Sequence, residues 1–411
     1  MEHTEVNDQP PSARRSGEWV DRVHLGVPYR AFDPLPLPPD PPLRMDDELH
    51  RLLRNASAAV ARLNGASLTL PNPDILVYMY VRKEAVLSSQ IEGTQSSLDD
   101  LLAAEASLVD PDRPADVDEV INYVHALQTG LGLLPRLPIS VRMIRDLHRD
   151  LLAGVRGAEK APGEIRRHPV YIGDPVGGFA GARFVPTPPD RLLDALSAWE
   201  RFVNDPRGDD PLVRIALAHA QFETIHPFGD GNGRVGRLLI AMQLVAEHLL
   251  DHPLLYLSIW FKEHRQTYYD RLQATRTAGD FEGWVRFFLE GVAQVGLESA
   301  DTVRKIVLLR EKHRDLVLSE LGQAAANGLR VLDVLYARPF VSAPAIAEAA
   351  GITTTTTNAL LDRLQDLDVL VEVTGHKRNR RFVNRAYIRL FDPLPAARDI
   401  PQRPPTEETP A

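Results

Sequence analysis

"HPFGDGNGRVGR", residues 226–237, puts a histidine, an aspartate, four glycines and two arginines into twelve positions. The stretches on either side, "PLVRIALAHAQFETI" and "RVGRLLIAMQLVAEHLL", both repeat apolar residues at helical spacing. Ile215, His219, Phe222 and Ile225 share one face of the first, which marks that face as buried. A glycine-rich loop that joins two helices, with no strand before it, argues for a mainly α fold. "GNGRVG" matches G-x-G-x-x-G, but that fingerprint needs a preceding strand and a βαβ unit, and neither is patterned here. A Walker-type loop fails because no Gly-Lys-Ser/Thr follows.

Working outward, helices are predicted in "DDELHRLLRNASAAVARL", from Asp74 as a cap through to Gly93, and in "DEVINYVHALQTGLGLL" and "ISVRMIRDLHRDLLAG". Between 162 and 189, "VYI" and "RFV" flank a glycine-rich turn, so one small hairpin is expected at about 165–185. "RLLDALSAWERFVN" and the long run from "FEGWVRFFLEGV" onward are helical again. The chain divides into a proline-rich extended arm (1–44), an N-terminal helical region (45–112), a helical core (113–298), a connecting helix (299–326), a small C-terminal domain (327–392) and a disordered tail (393–411).

The 411 residues fit two or three domains, and the absence of cysteine excludes disulfides and zinc thiolate sites. No apolar leader and no run of about 18 apolar residues is present, so a cytoplasmic protein without membrane contact is expected. A net charge of −9 argues against nucleic-acid binding by the chain as a whole.

Gly231 and Gly233 around Asn232 leave backbone N–H groups free to converge on anionic oxygens. A helix starting near Arg234 adds its unpaired amides and positive dipole end. Arg234 and Arg237, three apart, can both reach phosphates. Asp230 would oppose that positive field unless it holds a cation, and Mg²⁺ bridging phosphates is the economical assignment. His226, with an ordinary pKa near 6.5, suits removal of a proton from a hydroxyl. The bland alternative, a connecting turn with a core histidine, leaves the interleaved charges unexplained. The set describes a triphosphate bound with Mg²⁺ beside a general base, for phosphoryl or nucleotidyl transfer to an incoming hydroxyl.

The same stretch resembles the H-x-F-x-D/E-G-N-G-R-x-x-R signature of the Fic (filamentation induced by cAMP) family, with every defining position filled. The resemblance extends over roughly residues 40–290 through "AHAQFETI", the hairpin block and "YYDRLQATRTAGDFEGWVRFFL". It implies a protein adenylyltransferase that moves AMP from ATP to a Tyr, Thr or Ser hydroxyl and releases pyrophosphate. Carried over, His226 is the base, Asp230 holds Mg²⁺, and Gly231, Asn232 and Gly233 line the anion hole. Arg234 and Arg237 take the β- and γ-phosphates, Phe228 anchors the loop, and Tyr268 and Tyr269 lie near the adenine or simply cover the core. The hairpin resembles the family's flap, which holds a target protein by strand addition.

"SSQIEG", Ser88 to Gly93, resembles the family's inhibitory S/T-x-x-x-E-G/N motif. A carboxylate in a helix's last turn is disfavoured by the dipole, so Glu92 needs a cation nearby. The resemblance supplies Arg237, with Ser88 seating the helix. The C-terminal "SAPAIAEAAGITTTTTNALLDRLQDLDVLVEV…RRFVNR" reads helix, Gly351 turn, helix, hairpin, the pattern of a winged helix. It carries 9 Lys/Arg and 6 Asp/Glu between Asn327 and Phe391, with Lys377, Arg378, Arg380 and Arg381 at the expected wing tip. DNA binding, homodimerisation and target docking all fit that domain. Self-modification, removal of AMP and transfer of another phosphate-containing group are further readings of the core. A DNA-binding regulator with a nucleotide-sensing core is the alternative for the chain as a whole.

Overall fold

The computed structural model describes residues 15–69, 74–105, 114–173, 178–205, 209–375 and 380–391. The order is β1 (Gly17–His24), β2 (Val27–Pro34), α1 (Asp47–Ser67), α2 (Asp74–Ile91), α3 (Leu98–Glu105), α4 (Val117–Leu133), α5 (Val141–Leu151), β3 (Ile172–Gly173), β4 (Ala182–Phe184), α6 (Leu192–Val203), α7 (Pro211–Ile225) and α8 (Asn232–Ala246). There follow α9 (Ser258–Glu263), α10 (Arg265–Ala278), α11 (Phe281–Glu320), α12 (Ala325–Ala337), β5 (Phe340–Ser342), α13 (Ala343–Ala350), α14 (Thr354–Asp366), β6 (Val371–Glu372), β7 (Arg381–Val383) and α15 (Arg385–Ile388). The fold is mainly α, as the periodicity predicts. No described helix is long and apolar enough to cross a membrane.

The helices α7 and α8 form the centre. The expectation of one buried face on α7 is too modest, since every residue from Leu212 to Ile225 is buried. Its start is set by Asp210, whose side chain accepts from the Leu212 N–H, and by Pro211 in the first turn. Trp199 and Trp284 close over it, donating their indole N–H groups to the Ala218 and Ala216 carbonyls at 2.8 and 2.7 Å. Polar backbone at the very centre is thereby satisfied by aromatic residues that also supply bulk. The long α11 runs beside α1, whose N-cap Asp46 accepts from the Leu49 N–H at 2.9 Å and pairs with Arg286.

Within the expected arm, the described residues 15–44 depart from an extended segment. Residues 17–34 form an antiparallel hairpin, Gly17 opposite Pro34 and His24 opposite Val27. Tyr29 and Ala31 alternate on one buried face and Phe32 is buried on the other, a signal that the neighbouring prolines obscure. The Phe32 N–H donates to the Val185 carbonyl at 3.0 Å, and Tyr29 stacks on Phe179 at 4.8 Å. The hairpin therefore backs onto β3 and β4, which pair antiparallel through Ile172 and Phe184. Residues 35–46, between the hairpin and α1, form no regular element.

In the C-terminal unit, β5, β7 and β6 form a three-stranded antiparallel sheet in that order. The helix α14 starts at Thr353, whose hydroxyl accepts from the Thr356 N–H at 3.2 Å. Lys377, Arg378 and the expected tail beyond Pro393 lie outside the described residues. Arg380 is not presented to solvent as expected; it reaches back to Asp362 at 2.7 Å and Asn358 at 3.1 Å.

Candidate active site

The loop between α7 and α8 is fixed from both sides. At its start His226 takes a left-handed backbone (φ 51°), which ends α7 and turns the chain. Gly231 (φ 75°) makes the second turn, where a side chain would be strained. Asn232 then ties the loop across itself: its Oδ1 accepts from the Phe228 N–H and its Nδ2 donates to the Phe228 carbonyl, both at 2.9 Å. This side chain, expected to line an anion hole, is spent on the loop, which leaves only its backbone amide for that task. Phe228 is buried in the core as expected.

Two residues that sequence reasoning did not single out complete the support. His148 of α5 lies parallel to Phe228 at 3.8 Å between ring centres. Its Nδ1 accepts from the Gly163 N–H at 2.8 Å, so Nε2 carries the proton and donates to the Asp230 carbonyl at 3.0 Å. Burial pushes its pKa down to about 4, so it stays neutral. Arg166, just before the flap, donates from Nε to the His226 carbonyl at 2.8 Å and from Nη2 to the Thr187 carbonyl at 2.5 Å. Nothing in the spacing of either residue distinguishes it from an ordinary helix or loop position.

His226 faces the charges of Arg276, on α10, and of Arg166, just before the flap. Burial, then the charges of Arg166 and Arg276, push its pKa down to about 3 rather than leaving it near 6.5. The imidazole is neutral and able to accept a proton, and it does so more readily when anionic phosphates arrive. Arg276, also unmarked in the sequence, donates to Thr224 Oγ1 and the Glu223 carbonyl, both at 3.1 Å, and lies over the Phe184 ring.

The two arginines of the loop are held by different carboxylates. Arg234 Nη1 donates to Glu119 of α4 at 3.0 Å, and Arg156 meets the same oxygen at 3.2 Å. Arg237 donates from Nε to Ser88 Oγ at 2.9 Å, and from Nη2 to the Ser88 carbonyl at 3.0 Å and to Glu92 Oε1 at 2.6 Å. The resemblance expects Glu92 and Ser88 at Arg237, and the structure brings them there. Burial works to raise the Glu92 pKa, but the Arg237 charge and hydrogen bond, with Arg234 and His226, hold it below the ordinary value. Arg237 is in turn raised above the usual guanidinium range, burial being outweighed by Glu92, Tyr268, Tyr269 and Glu223.

Asp230 is partly exposed, and its Oδ1 accepts from the Gly231 N–H at 2.6 Å. No group of three or more His, Cys, Asp or Glu that could hold a metal occurs among the described residues. Tyr268, one of the two expected near adenine, is a core residue: its hydroxyl meets His219 Nε2 at 2.9 Å and its ring stacks on Phe261 at 4.5 Å. Tyr269 is half-buried and remains at the site's margin.

Comparison with known proteins gives this arrangement a context. The description Fic/DOC family N-terminal matches residues 50–132, and Fic/DOC family matches residues 138–244. A "Protein adenylyltransferase Fic" of Drosophila melanogaster is 28% identical over 247 residues, 58% of this chain and 44% of its own length. One from Aedes aegypti is 30% identical over 200 residues, 48% of this chain and 36% of its own length. The chain thus spans less than half the length of these curated relatives. A Fic family protein from Desulfovibrio desulfuricans superposes with a TM-score of 0.53 at 18% identity, covering 84% of this chain and 97% of that one. At that identity the likeness is one of fold.

Proposed function

A chain that carries both the Fic/DOC family N-terminal region and the Fic/DOC family domain is, we propose, a protein adenylyltransferase held in check by its own Glu92. The observation that carries this reading is a neutral, half-buried His226 next to a helix N-terminus whose guanidinium, Arg237, is gripped by a carboxylate. In the reaction His226 takes the proton of a target hydroxyl, and the hydroxyl oxygen bonds to the α-phosphorus of ATP. The bond to the bridging oxygen breaks, and pyrophosphate leaves with the electron pair. The amides of Gly231, Asn232 and Gly233 and the α8 dipole hold the phosphate oxygens. Arg237 takes the γ-phosphate once Glu92 has left, while Arg234, already paired with Glu119, contributes charge.

Asp230 fits a magnesium ion that is held by one carboxylate, water and substrate phosphates, the usual manner for this metal. Bound there, Mg²⁺ would neutralise the charge of the leaving pyrophosphate. The flap offers the β3 edge to a target segment by strand addition, since the segment after β4 is occupied at Val185 by Phe32. The same edge would serve self-modification. We read the C-terminal unit as a winged helix from its helix–strand–helix–helix–hairpin order. Docking of a target or a second copy is favoured over DNA there, because Arg380 is tied to α14. A cytoplasmic setting agrees with the cysteine-free composition.

The test is transfer of label by the Glu92→Gly chain. ATP labelled on the α-phosphate should label protein, γ-labelled ATP should not, and chelation of Mg²⁺ should abolish the signal. A γ-only signal would reject nucleotidyl transfer in favour of a kinase.

A further inference from the structure

The reaction described above uses His226 and leaves Glu223, one turn earlier on α7, without a task. Glu223 is 7% exposed, and its Oε1 has no hydrogen-bond partner among the described residues. His226 Nδ1 is in the same condition. An acceptor and a ring nitrogen, both buried and both unpaired, lie side by side, with Glu223 Oε2 3.9 Å from Nδ1. Native structures rarely keep such groups unpaired without a functional reason. Gly236 makes room for this carboxyl: a Cβ on it would come within 2.5 Å of Oε1.

We propose that Glu223 is the positioning residue for His226, its carboxylate taking the Nδ1–H in the reacting state and leaving the Nε2 lone pair aimed at the target hydroxyl. This rests on the adenylyl transfer proposed above. In that step the hydroxyl proton moves to Nε2, the oxygen–phosphorus bond forms and the bond to pyrophosphate breaks. Glu223 exchanges no proton; it steadies the imidazolium that the transfer creates. The surroundings make such help necessary. Arg166 and Arg276 both oppose a positive charge on His226, and among the described residues the carboxylates of Glu223 and Glu92 face it. Glu92 must leave Arg237 for ATP to bind, so Glu223 is the one that stays.

The charge on Glu223 itself follows the same logic. Burial first, opposed by Arg237 and assisted by Glu92, raises its carboxyl to about 7, with Arg276 as a further opposing cation. Tyr268 and His219 also face it, from α10 and across Gly236. Departure of Glu92 removes one of the influences that keep the carboxyl protonated. The competing partner for Nδ1 is the Glu223 backbone carbonyl, which already accepts from Arg276 at 3.1 Å.

The experiment compares Glu92→Gly with Glu92→Gly/Glu223→Gln in the full chain. Glutamine keeps the shape and loses the charge. The double variant should lower kcat for self-modification about 10-fold or more with KM for ATP unchanged. In histidine-selective ¹⁵N spectra, His226 should move from the Nδ1-protonated towards the Nε2-protonated tautomer. The tautomer is read without turnover, so a chain inactive in every variant would reject the transferase reading while the spectra still judge Glu223. If Glu223→Gln disturbs folding, Gly236→Ala displaces the same carboxyl and should produce the same tautomer shift. A kcat within twofold, with unaltered His226 ring-nitrogen shifts, would assign Nδ1 to the carbonyl and overturn the proposal.

Discussion

Arg234 and Arg237 leave the first two turns of α8 towards two carboxylates placed in opposite electrostatic settings. Glu119 lies in the first turn of α4, where the helix dipole favours an anion, and its side chain is 6% exposed. It also holds Arg156, so two guanidinium groups share one carboxylate. Glu92 lies just past the end of α2, where the dipole disfavours it, and its side chain is 32% exposed. Both pairs are short and charge-assisted, yet only the second can be opened without leaving the helix around it in deficit. Burial and helix position, more than bond length, separate the two pairs: the first is a strut, the second the pair proposed above as a latch.

The strongest way to break this comparison is Glu119→Ala. It strands a buried Arg234, and removing one partner of a buried pair costs about 3–5 kcal/mol. Urea unfolding should show a loss of that order; a loss below about 1 kcal/mol would make Glu119 no strut. Next comes Glu92→Gly. Freeing Arg237 from a charge-assisted bond should raise AMP transfer by about 10–100-fold, with His226→Ala on top returning it to zero. Its folding stability should fall by less than that of Glu119→Ala, in the same unfolding experiment. A folded, ATP-bound Glu92→Gly chain no faster than its parent would remove the latch.

A third test concerns the helix that carries the latch. Glu84 of α2 is buried, accepting from the Ser258 N–H at 3.2 Å, from the Ser258 hydroxyl and from Tyr123, and burial pushes its pKa up to about 7. A raised carboxyl adds stability that is complete below its unfolded value near 4.5 and is lost as pH rises through 7. Glu84→Gln should therefore raise Tm relative to the parent at pH 8, by about 2–4 °C, and change it little at pH 4. Equal effects at both pH values would mean that the carboxyl is ionised throughout. The smallest effect is expected from Arg380→Ala in the C-terminal unit. Its pairing with a largely exposed Asp362 is worth less than about 1 kcal/mol, and a larger loss in thermal unfolding would place it among the struts.

The loop itself is legible because its function is written in contiguous residues, and the helices on both sides follow from periodicity. Its buttresses are not. His148 occupies a position that any buried helix residue could fill, and Arg166 and Glu119 act through chain folding that brings segments from before the loop against it. The helix dipole at the end of α2 requires a cation near Glu92, but only the family resemblance distinguishes Arg237 from Arg234 as its source. The tyrosine pair could not be divided by reading alone: the buried position of Tyr268 depends on a partner, His219, from another helix. The wing arginines looked like a phosphate-facing cluster because charge counting has no means of seeing Asp362 across from Arg380.

The N-terminal hairpin has a consequence for the order in which the molecule is made. On a ribosome, Trp19, Tyr29 and Phe32 emerge early, but the flap residues that cover them, Phe179, Phe184 and Val185, emerge only after α1 to α5 have been synthesised. Until then the hairpin has no floor, and two strands alone are marginal in water. The reverse holds for any shortened gene product that begins at α1: its flap would be translated complete and left bare on one side. The flap should thus be among the last parts to become protease-resistant during synthesis, and the first to lose resistance when the opening codons are removed.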